Sequence, residues 1–194
     1  MKRFLLLFLA TVVTAWSASA QLSVSQLRTE HLTDPVGIGE RRPLLSWEVS
    51  DASRRGVTQS AYEIRVKSGG RTVWRTGKVA SAESAGVFYD GTPLTSDTRY
   101  TWQVRVWDDR GKASAWSRPA FWRTGLFDVG EWQARWIEPA VSDDLAAMFR
   151  RTFRVTKPVA EATVYVTAHG IYEASVNGHR VSDDLLTPGW TAYK

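Results

Sequence analysis

The stretch Arg99–Trp107, RYTWQVRVW, decides the fold of this 194-residue chain. Every second residue in it is large and apolar: Tyr100, Trp102, Val104 and Val106. The residues between them are polar or cationic. Because successive side chains of a strand point to opposite faces, this pattern predicts a strand with one face in a core. The segment Asp108–Gly111 follows and predicts a turn, since Asp and Gly both favour turn backbones.

Other short strands are predicted on either side of this one. They are Pro43–Val49, Ala61–Lys67, Thr72–Trp74 and Ala115–Thr124. In the second of these, Tyr62, Ile64 and Val66 form one face and charged residues form the other. About seven strands in roughly 100 residues, separated by turns and without helical periodicity, indicate an antiparallel β-sandwich. We therefore predict an all-β fold whose first domain spans residues 21–127.

A second unit is predicted to follow a linker at Phe127–Gly130. Its alternating segments Phe149–Val155 and Ala162–Ala168 predict strands, and Asn177-Gly178 suits the left-handed positions of a two-residue hairpin turn. Residues 131–194 are enough for about four or five strands, whereas a jelly roll has about eight. The sequence therefore predicts an incomplete jelly-roll-like sandwich over residues 131–194.

The first 20 residues have the pattern of a secretory signal peptide. Lys2 and Arg3 precede the apolar run Phe4–Trp16, and the small-residue end Ala18–Ala20 follows. The run is shorter than the roughly 20 apolar residues that cross a bilayer. We therefore expect export to the periplasm or the medium, with no membrane attachment after cleavage.

The composition excludes some kinds of binding site and makes one class of partner unexpected. The chain has no cysteine, which excludes disulfides and thiolate metal sites. Removal of Lys2 and Arg3 lowers the formal net charge from +5 to +3, and the other basic residues are scattered along the sequence. This pattern predicts no nucleic-acid partner. The three histidines, His31, His169 and His179, lack metal-ligand spacing.

Two sets of motifs resemble a known family. Leu94-x-x-x-Thr98-x-Tyr100 resembles the tyrosine corner of fibronectin type III domains, and Trp47 lies where that fold keeps its core tryptophan. The segments GxYExxxNGxxV at 170–181 and LxPGWTxY at 186–193 resemble the N-terminal β-sandwich of bacterial α-L-rhamnosidases. Further matches to these enzymes are Pro43-x-Leu45-Ser46-Trp47, Tyr100-x-Trp102-x-Val104-x-Val106-Trp107-Asp108 and Ala115-Trp116-Ser117.

The resemblance implies a non-catalytic N-terminal fragment of an exported inverting glycoside hydrolase. The parent enzyme would remove terminal α-L-rhamnose from glycosides, so its partners would be rhamnose-containing glycosides or polysaccharides and the missing downstream domains. In this family the catalytic acid and base lie in a later (α/α)-barrel, so no catalytic residue is assigned here. The acidic pairs of this chain fall in predicted turns instead: Asp108–Asp109, Asp143–Asp144 and Asp183–Asp184.

One binding site is considered in the second unit. Its candidate carbohydrate-binding residues are Tyr172, Asn177, Trp190 and Tyr193. The three aromatic rings lie near the Asn177 turn, and they either stack on a sugar or pack the sandwich. Asp183 and Asp184 are candidate oxygen ligands for Ca²⁺, and no other metal or cofactor is predicted. The alternative function is a stand-alone secreted carbohydrate-binding or adhesion module.

Overall fold

The computed structural model describes residues 22–140 and 146–188. These residues divide into two compact units, with the boundary between Trp136 and Ile137. Strands and a single 3₁₀ turn, Val129–Glu131, make up the regular structure of the described ranges. Within those ranges no helix has the length and apolar character needed to cross a membrane. The predicted all-β fold is confirmed.

The strands of the first unit form two sheets. They are β1 (Ser23–Thr29), β2 (Val36–Ile38), β3 (Leu44–Ser50), β4 (Gln59–Ser68), β5 (Arg71–Arg75), β6 (Val79–Ala80), β7 (Val87–Phe88), β8 (Arg99–Asp108) and β9 (Ala120–Thr124). One sheet has the order β1-β3-β7, and the other has the order β2-β9-β8-β4-β5 with β6 also on β4. All pairs are antiparallel except β2 with β9.

The core lies between these sheets, and the predicted alternation positions it. Strands β4 and β8 pair Ile64 with Val104 and Val66 with Trp102, and all four side chains are buried. From the opposite sheet, Trp47 packs edge-on against Tyr62 with ring centroids 5.3 Å apart. The apolar faces predicted for both strands are confirmed.

The tyrosine corner is also present. The Tyr100 hydroxyl accepts a hydrogen bond from the Thr95 backbone N–H at 2.9 Å. The Tyr100 ring stacks on Trp122 with centroids 5.4 Å apart, and Leu94 is buried beside the corner. These contacts attach the loop before β8 to the core.

The last predicted strand of the first unit is shorter than expected. It begins at Ala120 and not at Ala115, partly because Pro119 has no N–H to donate to a ladder. Before it, Ser114 and Ser117 bond to β8, and their backbone N–H groups donate to the Val106 and Val104 carbonyls at 2.8 Å. Their hydroxyl oxygens accept the backbone N–H groups of Val106 and Val104 at 3.0 and 3.1 Å, in place of carbonyl groups.

In the second unit the predicted hairpin is confirmed, whereas two predicted strands are wrong. Strands β10 (Ser175–Val176) and β11 (His179–Arg180) pair across a turn in which Asn177 has φ 52°. The segments Phe149–Val155 and Ala162–Ala168 are not strands. Alternation produces a strand only where a neighbour pairs with its backbone, and here Phe153 is 76% exposed and Val164 is 70% exposed.

Candidate functional site

Tyr172, predicted to contact sugar, links segments of the second unit. Its side chain is half-buried, and its backbone N–H donates to the Thr187 carbonyl at 2.8 Å. Its hydroxyl donates to the Val166 carbonyl at 3.4 Å. The observed bonds therefore hold the chain before and after the hairpin together.

Asn177 forms the hairpin turn itself. Its positive φ is tolerated because Asn has a short polar side chain, and the residue is exposed. The hairpin is extended by a bond from the Val181 N–H to the Ala174 carbonyl at 3.0 Å. The Tyr172 hydroxyl bonds to Val166 and not to Asn177. Trp190 and Tyr193, the other two predicted sugar contacts, lie outside the described residues.

The candidate calcium ligands, Asp183 and Asp184, are exposed and lie just after this hairpin. Asp184 receives a hydrogen bond from the Ser182 hydroxyl at 2.6 Å, and its N–H donates to the same hydroxyl at 3.0 Å. In residues 22–140 and 146–188, His, Asp and Glu side chains form no cluster of three or more that suits a metal ion. The calcium site stays a prediction.

Asp108 and Asp109 stabilise the turn after β8, as the sequence predicted. Asp108 Oδ1 accepts the N–H groups of Arg110 and Lys112 at 3.0 and 2.7 Å. Arg54 donates to both carboxylates. Its hydrogen bond holds the pKa of Asp109 below the ordinary value. These carboxylates are occupied by their own turn.

A shallow surface depression of about 250 Å³ lies near the start of β3. The polar side chains around it are paired with each other or with the backbone. Arg42 bonds to Asp90 at 3.0 Å, and the Tyr89 hydroxyl donates to the Thr92 carbonyl at 2.8 Å. The depression therefore offers few unpaired polar groups to a ligand.

A cluster of charged and aromatic side chains lies on the side of the six-stranded sheet that points away from the core. We call this side the outer face. The alternation that buries Ile64 and Val104 places charged and aromatic residues of β4 and β8 on this face. Glu63 lies at its centre and is only 2% exposed. Arg75 Nε contacts Glu63 Oε1 at 2.6 Å, and Arg105 Nη2 contacts Oε2 at 2.6 Å.

The ionisation of Glu63 follows from these partners. Burial alone would raise its pKa, because a carboxylate loses hydration in the protein. Hydrogen bonds and charge attraction from Arg75 and Arg105 outweigh that effect, and the pKa lies below its ordinary value. Glu63 is therefore a buried, ionised carboxylate that holds two arginines.

Cations and indole rings alternate across the same face. Lys78 Nζ lies 4.7 Å from the centre of the Trp107 ring. Arg105 lies 5.0 Å from that ring and 4.9 Å from Trp116. Arg65, on the neighbouring strand β4, lies 4.3 Å from the centre of the Trp116 ring. Such cation–π contacts contribute about 0.5–1 kcal/mol each at exposed sites. We call this series the cation–indole ladder.

Sequence reasoning missed this ladder. It treated the basic residues as scattered, whereas the pairing of β4 with β5 and β8 brings them onto one face. The signal that could have predicted it lies in the residues that alternate with the apolar ones. In β4 and β8 the residues between the apolar ones include Arg65, Lys67, Arg99 and Arg105.

Two sequence families match the chain. Residues 24–128 match the family described as "Rha78A-like, N-terminal immunoglobulin domain", and residues 157–194 match "Alpha-L-rhamnosidase N-terminal domain". The "Alpha-L-rhamnosidase" of Streptomyces avermitilis is 37% identical over 201 residues, which cover 87% of this chain and 19% of that relative. A Formosa agariphila "Alpha-L-rhamnosidase" is 32% identical over 183 residues, covering 86% and 20%.

Solved structures give the same result. The S. avermitilis α-L-rhamnosidase complexed with L-rhamnose superposes with a TM-score of 0.59 at 44% identity, over 61% of this chain and 12% of that one. The native enzyme of Aspergillus terreus superposes with a TM-score of 0.62 at 30% identity, over 87% and 20%. The chain thus spans about one fifth of the length of the curated relatives. It belongs to the family of Rha78A-like N-terminal immunoglobulin domains, joined to an α-L-rhamnosidase N-terminal domain.

Proposed function

We propose that this chain is the non-catalytic N-terminal part of an exported α-L-rhamnosidase, an enzyme that removes terminal α-L-rhamnose from glycosides. The observation that carries the proposal is the alignment of 87% of the chain with about one fifth of an α-L-rhamnosidase. Residues 1–20 act as the signal peptide, so the enzyme works in the periplasm or outside the cell.

The carboxylates seen in the structure support a non-catalytic role. Hydrolysis of a glycosidic bond with inversion uses an acid and a base on opposite sides of the sugar. Asp108 and Asp184 instead bond to neighbouring groups in their own turns, and Glu63 is covered by arginines. We therefore assign the acid and base to a later part of a longer protein.

The two units then serve as a scaffold, with sugar contact in the second. The first unit, residues 21–127 in our assignment, has a fully buried aromatic centre that includes Trp102 and Trp122. In the second, residues 131–194, we propose that Tyr172, Asn177, Trp190 and Tyr193 contact carbohydrate. The resemblance of these residues to the family motifs supports this assignment.

The test compares two purified proteins on an aryl α-L-rhamnoside. The 194-residue chain should release no rhamnose, and a chain extended to the length of the relatives should release it. An NMR spectrum recorded early in the reaction of the extended chain should show that the released rhamnose has the inverted anomeric configuration. Turnover by the short chain would contradict the non-catalytic assignment. An extended protein without rhamnosidase activity would contradict the assignment of the enzyme.

A further inference from the structure

The outer face concentrates positive charge. Its exposed or ladder-forming cationic side chains are Arg65, Lys67, Arg75, Lys78, Arg99 and Arg105. Among the residues that the structure describes, Glu63 is the one carboxylate in the middle of the face. Carboxylates at the margins are already paired with other arginines: Asp97 with Arg123, and Asp109 with Arg54. The face therefore has a strong positive excess.

Two of these cations are fixed in place. Arg105 makes two contacts to Glu63 and lies against Trp107 and Trp116. Arg65 donates from Nε and Nη2 to Gln103 Oε1 at 3.1 and 2.7 Å. Because these side chains are already ordered, little additional conformational entropy is lost when an anion binds beside them.

The other four cations are accessible to solvent. Lys67, Lys78 and Arg99 are exposed, and the side chain of Arg75 is 61% exposed although it also contacts Glu63. Equivalent side chains repeat about 7 Å apart along a strand, and neighbouring strands lie about 4.8 Å apart. A broad face with repeated charges suits an extended polymer with repeated anionic groups.

We propose that the outer face binds an acidic polysaccharide, whose carboxylate or sulfate groups pair with Lys67, Arg75, Lys78 and Arg99. The choice of a glycan rests on the proposed function, because an exported glycosidase meets its substrates as glycans. The indole rings of the face already carry cations, so they offer no clear platform for bases of single-stranded nucleic acid. The major groove of DNA admits a helix or a two-stranded ribbon, whereas this face belongs to a six-stranded sheet.

The test measures binding of the full 194-residue chain to polygalacturonate and to dextran sulfate, with neutral dextran as the uncharged control. We expect binding to one or both acidic polymers and none to dextran. The affinity should fall steeply as salt rises from about 50 to 200 mM, since the contacts are ionic. This measurement does not involve rhamnoside hydrolysis. The binding proposal can therefore fail while the enzyme assignment stands, and the enzyme assignment can fail while the binding proposal stands.

A matched pair of variants locates the site. Lys67→Gln with Lys78→Gln removes two exposed charges from the outer face, and should weaken binding about tenfold or more. Arg28→Gln with Arg42→Gln removes the same charge from the opposite sheet, where Arg28 is on β1 and Arg42 lies over Phe88 of β7. This control should change binding less than about twofold.

The proposal is overturned by an absence of binding to both acidic polymers, by an equal loss in the two double variants, or by binding to dextran of similar strength. Double-stranded DNA and anionic lipid vesicles serve as competitors. If either binds as tightly and loses affinity in the same outer-face variant, the face is a general polyanion surface and the assignment to a polysaccharide is wrong.

Discussion

The inner and outer faces of strands β4 and β8 bury side chains by different means. On the inner face, Ile64 and Val104 are completely buried among apolar neighbours. On the outer face, Glu63 is nearly as buried, but under the guanidinium groups of Arg75 and Arg105. The first burial follows from the hydrophobic effect, and the second follows from long cationic side chains that lie over the sheet.

The difference predicts how each face responds to truncation. Loss of an inner side chain leaves a cavity that close-packed neighbours fill only in part. Loss of an outer side chain leaves partners that can turn toward water. Variants on one strand can therefore compare the two faces directly.

The largest effect is expected for Trp102→Ala on the inner face of β8. Trp102 is fully buried, so its loss should lower the free energy of unfolding by about 3–5 kcal/mol. The matched variant Trp107→Ala, on the outer face of the same strand, should cost about 1–2 kcal/mol through lost cation–π contacts. Urea unfolding followed by far-UV circular dichroism measures both. Equal losses would contradict the distinction between the faces.

A smaller effect is expected for Glu63→Gln on the outer face. The amide keeps the shape of the side chain but removes the charge that holds two arginines. We expect a loss of about 1–3 kcal/mol, the range for hydrogen bonds to charged groups. The two arginines retain solvent access, so the larger cost of isolating a buried charge does not apply. Glu48→Gln, at an exposed position of β3, is the control and should be nearly neutral.

The same residue predicts a pH dependence. The folded-state pKa of Glu63 is lowered, so its ionisation stabilises the fold above the unfolded-state pKa of about 4.3. That stability is lost as pH falls below 4.3 and through the lower folded-state pKa. The difference in unfolding free energy between the natural chain and Glu63→Gln should therefore shrink between about pH 6 and pH 3. A constant difference would mean that Glu63 does not titrate with folding.

The two faces also differ in how far the sequence predicts them. The inner face follows from alternation alone, since Tyr62, Ile64 and Val66 reveal their common side without knowledge of any partner. The ladder depends on which strands are neighbours. Arg75 comes from β5 and Trp116 from the segment after β8. No local period places Arg75 beside Glu63 or Trp116 beside Arg105.

In the second unit, too, the sequence predicts local turns but not which segments pair. The Asn177-Gly178 turn is local chemistry, and the hairpin is where the sequence placed it. Phe149–Val155 alternates as well as many strands do, yet it has no pairing partner among the described residues. Alternation identifies a side chain's face, whereas a strand also needs a second backbone. The predicted sugar site stays a prediction, because Trp190 and Tyr193 lie outside the described residues.

The smallest effect is expected for Tyr100→Phe, which keeps the inner-face packing and removes one hydroxyl. The ring would still stack on Trp122, so no cavity forms. The Thr95 N–H would lose its acceptor in the Tyr100 hydroxyl, which also lies 3.1 Å from Thr95 Oγ1. Loss of one such hydrogen bond costs about 1 kcal/mol. The urea midpoints of the two variants are measured under the same conditions. The shift for Tyr100→Phe reports the loss of the hydroxyl, and the shift for Trp102→Ala reports the loss of packing. A Tyr100→Phe cost as large as that of Trp102→Ala would mean that the corner hydrogen bond contributes as much to stability as the packing of Trp102.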